Sequence, residues 1–171
     1  MAPSTPTLMG KQAVLAEMSG HPAVRALQVW KPEALADAKF AYGELTLTVA
    51  AAEIRAACRT LQEAGYNFFE DMTAVDWLPQ RPRFQLSYHL LSHALKERIR
   101  LCALLDEADP SVPLCIDSIV PVWAGANFFE REVFDLFGIR FNDHPDLRRI
   151  MMPDDWQGHP LRKDYPVEGY R

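Results

Sequence analysis

The last 28 residues of this chain restrict its fold more than any other segment. Residues 144–171 contain four prolines, Pro145, Pro153, Pro160 and Pro166, none more than eight positions from the next. Each proline lacks a backbone N–H donor, and the residue before it avoids helical geometry. The segment therefore cannot form a helix or a central strand. Most of its backbone polar groups need hydrogen-bond partners from outside the segment.

The same segment is too apolar for a solvated tail. Its nine large apolar side chains are Leu147, Ile150, Met151, Met152, Trp156, Leu161, Tyr165, Val167 and Tyr170. Its five basic and five acidic residues cancel, whereas disordered segments usually combine few aromatic residues with a net charge. Balanced charges of alternating sign suit specific pairing with a protein surface. We therefore expect residues 144–171 to form an extended arm that docks on partner subunits, with disorder as the alternative.

Residues 1–143 predict one α+β core domain with a loose N-terminus that admits a short helix around 8–18. Ile54, Ala57, Cys58 and Leu61 recur at helical spacing, in a helix that ends at Gly65. Alternation of apolar and polar residues predicts strands over 44–50, 84–90 and 98–103. A strand-like run at 67–77, closed by Pro79 and Pro82, and a short segment within 114–120 are further predicted strands. This order of elements favours a mixed or antiparallel sheet with helices packed on one face.

A helix after Pro121, ending at Gly138, has a broad apolar sector. The sector holds Phe129, Val133, Phe134, Leu136 and Phe137. Glu130 lies inside this sector, where a carboxylate must find a hydrogen-bonded partner or stay neutral. Arg131 and Asp135 lie on the opposite, polar side at i,i+4 spacing, and the spacing predicts that they pair.

Charge and composition argue against several classes of protein. The net charge of −5 is unlike the basic face of a nucleic-acid binder. Three cysteines without a CxxC pair favour reduced thiols. No segment reaches the roughly 18 apolar residues that span a bilayer, and Met1 to Gln12 do not resemble a signal peptide. These features predict a soluble protein.

The sequence carries no motif for catalysis or cofactor binding. Glycine-rich phosphate loops, nucleophile signatures and cluster-type cysteine spacing are all missing. Glu130 and Glu132 would point about 200° apart on a helix and cannot share a substrate. His89 and His93 have the spacing of zinc proteases but lack the catalytic glutamate between them. We therefore predict no catalytic, cofactor-binding or metal-binding residue in this chain.

A metal site in the arm is the alternative that would give this chain its own chemistry. His144 and His159 each precede a proline, and with Asp154 and Asp155 they could supply the ligands of a stand-alone metal-dependent hydrolase. Capping and interface hydrogen bonds are the commoner use of such residues in turns.

Four blocks near the C-terminus occur in a fixed order. They are EREVFDLFGI at 130–139, HPDLRRI at 144–150, PDDW at 153–156 and GHPLRKDYP at 158–166. Together they closely resemble the signature of the C-subunit family of bacterial NADH-quinone oxidoreductase, respiratory complex I, whose mitochondrial counterpart is the 30 kDa subunit. Weaker similarity extends the match to roughly residues 40–168.

The resemblance implies a scaffold without an active site. Such subunits belong to the peripheral, hydrophilic part of a proton-translocating complex that passes electrons from NADH through FMN and iron–sulfur clusters to quinone. They bind none of these cofactors themselves. They pack beside the D subunit, with the B and I subunits nearby, on the cytoplasmic side of the cell inner membrane, and they meet the membrane only through the complex. Similar subunits of energy-converting hydrogenases and deazaflavin-dependent dehydrogenases are the alternative.

The arm's charge pattern and the resemblance together predict where this chain contacts its partners. Arginine and aromatic side chains are the usual anchors of such surfaces. The predicted interface residues are Arg131, Asp135, Arg148, Arg149, Asp154, Asp155, Trp156, Arg162, Lys163, Asp164 and Tyr165. The alternative for Arg131 and Asp135 is that they only hold the arm to its own body.

Overall fold

A six-stranded mixed sheet forms the centre of the computed structural model, which describes residues 7–107, 109 and 111–169. Its strands are β1 (Leu8–Met9), β2 (Leu35–Ala41), β3 (Glu44–Val49), β4 (Phe68–Asp76), β5 (Phe84–Ser92) and β6 (Glu97–Leu105). Their order across the sheet is β1-β2-β3-β6-β5-β4. All neighbouring strands are antiparallel except β3 and β6, which run parallel. The predicted strands are thereby confirmed.

The helices are α1 (Lys11–Glu17), α2 (Pro22–Trp30), α3 (Ile54–Glu63) and α4 (Ala126–Phe137). Alternate residues of β3, such as Leu45 and Leu47, are buried, while the intervening Thr46 and Thr48 are only half-buried. The buried residues of the sheet join the apolar faces of α3 and α4 in one core. Burial of one sheet face under helices confirms the predicted α+β class.

The N-terminal region holds more regular structure than the sequence predicted. Helix α1 confirms the short helix expected around 8–18, and β1 gives residues 7–22 more regular structure than a loose start, whereas α2 and β2 were not predicted. Helix α2 begins with Pro22 at its first position, and the His21 ring accepts a hydrogen bond from the Ala23 N–H. In β2, a register shift between Leu35 and Asp37 breaks the alternation of apolar and polar residues, so no period of two is visible.

Two short parallel strands, β7 (Cys115–Asp117) and β8 (Arg140–Asn142), flank α4 in sequence. Arg55 of α3 holds this pair in place, because its guanidinium donates to the carbonyl oxygens of Ser118 at 2.7 Å and Asn142 at 3.0 Å. The short strand predicted within 114–120 is confirmed.

Helix α4 ends at Gly138, as predicted, and the arm begins shortly after β8. Gly138 has a φ of 77°, and a Cβ there would lie 2.6 Å from the ring of His159. Glycine is thus required both by the backbone conformation and by the close approach of the arm. Residues 144–169 contain no helix or strand. Within the described residues, no helix is long and apolar enough to cross a membrane.

Candidate functional site

The described part of the arm, residues 144–169, is fastened to the body at two polar clusters. We call the first the helix anchor, which joins Asp135 of α4 to residues 149–152. We call the second the strand anchor, which joins Asp76, Arg83 and Glu107 to residues 162–164. The two anchors determine which side of the arm faces the body and which side faces outward.

Asp135 is the centre of the helix anchor, and its side chain is fully buried. One carboxylate oxygen accepts three backbone N–H groups, from Ile150 at 3.0 Å, Met151 at 2.7 Å and Met152 at 2.8 Å. The other accepts a 2.6 Å hydrogen bond from the guanidinium of Arg149. Burial alone would raise the pKa of Asp135, but these N–H donors and Arg149 lower it below its usual value. The carboxylate is therefore ionised and satisfied.

Arg149 and Arg131 complete the helix anchor through backbone carbonyl groups. Arg149 also donates to the carbonyl oxygens of Trp156 at 3.0 Å and Gly158 at 3.1 Å. These bonds close the loop that runs from Arg149 to Gly158. Arg131 is 7% exposed and donates to the carbonyl oxygens of Arg148 at 3.2 Å and Arg149 at 3.1 Å. The arm thus covers the part of the polar side of α4 that holds Arg131 and Asp135.

The predicted pairing of Arg131 with Asp135 is wrong. Both oxygens of Asp135 are occupied by donors from the arm, and its ion-pair partner is Arg149. Arg131 instead meets carbonyl groups of the same arm. Helical spacing predicted the pair because it takes no account of a segment packed over the helix.

The strand anchor is centred on Arg83, which directly precedes β5. Its guanidinium contacts both oxygens of Asp76, at 3.0 and 2.8 Å, and also Glu107 at 2.6 Å and Asp164 at 2.7 Å. Burial would raise the pKa of Asp76, but hydrogen bonds from Arg83 and from the N–H groups of Leu78 and Lys163 hold it at about 2. Such buried, bidentate arginine–carboxylate contacts are strong and directional.

Arg162 and Lys163 bring the arm into this cluster. Arg162 donates to both oxygens of Glu107, at 2.8 and 2.7 Å, and lies 5.2 Å from the ring centre of Phe84. The Lys163 N–H donates to Asp76 at 2.9 Å, and its ammonium group donates to the carbonyl oxygen of Leu78 at 3.2 Å. The arm therefore supplies donors to carboxylates of the body.

The two arm histidines also contact backbone groups of α4. The Nδ1 of His159 donates to the Asp135 carbonyl oxygen at 2.8 Å, and His144 Nε2 lies 3.2 Å from the Asn127 carbonyl oxygen. Burial lowers the pKa of both imidazoles. Across residues 7–107, 109 and 111–169, no group of three metal-ligating side chains comes together. The hypothetical hydrolase site of His144, His159, Asp154 and Asp155 has no geometric support among these residues.

The outward side of the arm presents a different set of predicted residues. Arg148, Asp154, Asp155 and Trp156 are exposed, and the Arg148 guanidinium donates to the carboxylate of its neighbour Asp146 at 2.8 Å. The Tyr165 hydroxyl donates to the Gln157 carbonyl oxygen at 3.4 Å. Apolar side chains accompany them, because Ile150, Met151 and Leu161 are exposed as well. The predicted interface set therefore divides into residues that face the body and residues that face outward.

Sequence reasoning did not find the body side of the strand anchor. Asp76 ends a strand, Arg83 precedes the next one, and Glu107 follows β6. These residues contact each other and the arm although they are far apart in the chain, with 87 positions separating Asp76 from Lys163. The one available signal was an acidic residue at the end of an apolar strand, which needs a partner when it is buried.

Comparison with known proteins shows which family the sequence of this chain resembles. The model for the respiratory-chain NADH dehydrogenase, 30 Kd subunit, matches residues 47–171. The chain is 54% identical over 129 residues to the C subunit of NADH-quinone oxidoreductase from Geobacter sulfurreducens, which covers 74% of this chain and 77% of the relative. It is 46% identical over 151 residues to the C subunit from Roseiflexus castenholzii, which covers 86% of this chain and 84% of the relative.

Solved structures agree on the fold. A trypsin-resistant fragment (1-134) of Nqo5 is 32% identical, with a TM-score of 0.55 over 61% of this chain and 83% of the fragment. An archaeal membrane-bound sulfane sulfur reductase contains a chain with a TM-score of 0.74, at 24% identity, over 87% of this chain and 86% of its own. At that identity the second likeness concerns the fold alone.

Proposed function

Because the chain belongs to the family of the respiratory-chain NADH dehydrogenase 30 Kd subunit, we propose that its C-terminal arm joins it to neighbouring subunits of a proton-translocating NADH-quinone oxidoreductase. The chain is a subunit of that enzyme and serves as a non-catalytic scaffold in its peripheral part. Relatives that are C subunits of NADH-quinone oxidoreductase, at 54% and 46% identity, support this assignment.

The exposed apolar side of the arm is the observation that carries the docking proposal. Met151 is 63% exposed and Trp156 is 40% exposed, although both belong to an arm that is fixed from beneath by the two anchors. Ile150 and Leu161 extend the same exposed apolar set. Clusters of exposed apolar side chains with polar neighbours are typical of protein interfaces. An arm that is already ordered also loses less conformational entropy when it binds.

The two sets of predicted interface residues take different roles in this proposal. Arg148, Asp154, Asp155 and Trp156 contact the partner directly. The other charged residues of the predicted set hold the arm to the body through the two anchors: Arg131, Asp135, Arg149, Arg162, Lys163 and Asp164. Tyr165 supports the outward side of the arm through its hydrogen bond to the Gln157 carbonyl oxygen. Hydrogen-bonded charges in such partly buried clusters fix the position of a segment more than they contribute binding energy to a partner.

The identity of the neighbours follows from the family resemblance. We propose that the arm packs beside the D subunit, with the B and I subunits nearby. In this arrangement FMN, the iron–sulfur clusters, NADH and quinone are bound by other chains of the complex. The chain would lie peripherally, on the cytoplasmic side of the cell inner membrane, and would reach the membrane only through its partners.

The names of the sequence relatives favour the quinone-reducing complex over a hydrogenase or deazaflavin-dependent complex. Both relatives described above are subunits of NADH-quinone oxidoreductase. The sulfane sulfur reductase chain shares the fold, but its 24% identity gives no reason to transfer its chemistry.

Purification of the tagged chain from its native membranes tests this function. We expect the B, D and I subunits to co-purify, together with an NADH-to-quinone activity. Recovery of a hydrogenase in place of those subunits would assign the chain to the alternative complex instead. Recovery of the chain alone after gentle solubilisation would contradict the scaffold function.

A further inference from the structure

Glu130 and His144 form a buried pair at the joint between helix α4 and the arm. Neither side chain has exposed surface, and His144 Nε2 lies 3.9 Å from Glu130 Oε2. Glu130 Oε1 accepts a 2.6 Å hydrogen bond from the Ile119 N–H. Within the part of the chain that the structure describes, Oε2 has no hydrogen-bond partner. An ionised carboxylate with one unpaired oxygen is costly in such a place.

The hydrogen bonds of His144 define its protonation state. Its Nδ1 accepts the backbone N–H of Asp146 at 3.0 Å, so this nitrogen carries no proton. Its Nε2 lies 3.2 Å from the Asn127 carbonyl oxygen, which can only accept, so Nε2 carries the proton. The ring is therefore neutral, and it links the first turn of α4 to the beginning of the arm. Protonation of Nδ1 would break the bond to Asp146.

The groups around the pair favour a neutral Glu130. Burial raises the pKa of Glu130 to about 7, although the Ser118 hydroxyl, the Ile119 N–H and Arg55 oppose the rise. Burial lowers the pKa of His144, which lies near Asp146 and Arg131. The other titratable groups that face Glu130 are Cys58 of α3 and Tyr88 of β5, and burial raises the pKa of both.

The nearby cation Arg55 is not free to compensate an ionised Glu130. Its guanidinium already contacts the carbonyl oxygens of Ser118 and Asn142 and the carboxylate of Asp143 at 3.0 Å. Ionised Glu130 would thus be a buried negative charge beside a neutral imidazole. Release of the arm's first turn would open this site to water and relieve that cost.

We propose that Glu130 and His144 are a proton-dependent latch between helix α4 and the arm. The latch is closed when Glu130 is protonated and His144 is neutral, and loss of the Glu130 proton loosens the start of the arm. This property belongs to the chain by itself and goes beyond its role as a scaffold.

The expected size of the effect follows from linkage. Burial raises the pKa of the latched Glu130 carboxyl to about 7, and the ordinary pKa of 4.5 for a fully solvated carboxyl sets the upper limit of the effect of release. Because the latched state holds the proton more tightly, rising pH favours release across this interval. Between about pH 6 and about pH 8, ionisation of Glu130 should raise the ratio of released to latched chain by up to about tenfold. Proton uptake by a released His144 acts in the opposite direction at the lower pH, so the Glu130 contribution has to be measured against a variant that keeps His144.

Limited trypsin digestion of the full-length chain measures this ratio. The rate of the first cut after Arg148 or Arg149 is compared at about pH 6 and about pH 8. Dividing each rate by that of Glu130→Gln at the same pH removes the pH dependence of trypsin itself. We expect the quotient to rise several-fold, up to about tenfold, with pH. Glu132→Gln, which changes an exposed acid on the same helix, should behave like the wild type.

A quotient that stays constant with pH would overturn the latch. Infrared spectroscopy gives an independent measurement if Glu130→Gln folds poorly. The wild type should show the carbonyl stretch of a buried protonated carboxylic acid at about pH 6, and the band should disappear with a midpoint near 7. Its absence at that pH, or a midpoint near 4.5, would equally contradict the proposal.

Discussion

Asp135 is the single residue on which the attachment of the arm most depends. Its carboxylate accepts the N–H groups of three consecutive arm residues and pairs with Arg149. A carboxylate can accept several donors at once, whereas an amide can accept at only one of its two terminal atoms. The position therefore requires an acid, and asparagine is not an adequate substitute.

Replacement of Asp135 by asparagine should lower the free energy of unfolding by roughly 2–4 kcal/mol, because it leaves buried donors and Arg149 unpaired. Urea denaturation measures the loss. The control is Glu132→Gln, at an exposed position without these contacts, which should change stability by less than about 0.5 kcal/mol. Equal stability of the two variants would contradict the assigned role of Asp135.

Arg83 is the corresponding residue of the strand anchor. Arg83→Met should lower the free energy of unfolding by about 3–5 kcal/mol, because Asp76 and Glu107 would stay buried without their cation. The matched control is Arg81→Met, since Arg81 forms a half-exposed ion pair with Asp106, of a kind worth at most about 1 kcal/mol. Thermal and urea denaturation of both variants would show whether the costs differ in this order.

Acid should weaken the strand anchor through Asp76. Its folded pKa of about 2 lies below the ordinary 3.8, so its stabilising effect is complete above the ordinary value and is lost as the pH falls through about 2. The difference corresponds to about 2 kcal/mol. Asp76→Asn should lose this part of the pH dependence in denaturation curves measured over the acid range. An unchanged acid limb in Asp76→Asn would show that Asp76 is not the titrating group.

The sequence predicted single residues well only where local spacing decided their environment. Glu130 was recognised as a buried acid because it lies inside the apolar sector of α4. Asp135 was placed on the polar side of α4, and its contacts with residues 149–152 agree with the alternative in which it holds the arm to the body of the same chain. Asp76 was not recognised at all, because its partner Lys163 lies 87 positions away in the chain.

At the scale of elements, regular structure followed from periodicity and the arm did not. Strands β3, β5 and β6 and helices α3 and α4 were predicted, because apolar residues that pack against the core recur at regular spacing in each of them. Strand β2 was not predicted, because a register shift interrupts its alternation of apolar and polar residues. The prolines of the arm correctly predicted an irregular segment. Composition alone could not show that the backbone groups of this segment would form hydrogen bonds with the body of the same chain.

Removal of residues 144–171 should therefore destabilise the body as well as abolish docking. The deletion would uncover Asp135 and Arg131, and it would remove Arg162 and Asp164 from the strand anchor. We expect a loss on the order of 5 kcal/mol, a large share of the stability of an ordinary domain. Calorimetry of the truncated chain measures it, and an unchanged melting temperature would contradict an integral arm.

For the whole molecule, the two anchors make the body and the arm one folded unit with a defined outer surface. The core buries the apolar face of the sheet, and the anchors hold four charged residues of the arm, Arg149, Arg162, Lys163 and Asp164. Met151 and Trp156 are left exposed on the outside. A scaffold subunit of this kind contributes to its enzyme through the surface that it presents.

Incorporation of an outer-face variant into the complex tests this account most directly. The double variant Met151→Asp, Trp156→Asp and the control Val29→Asp, which changes an exposed apolar residue of α2, are each produced in cells that lack the native chain. We predict that both proteins fold, but that only the control restores an intact complex on native gels and NADH-to-quinone activity in membranes. Normal incorporation and full activity of the double variant would contradict docking through the outer face of the arm.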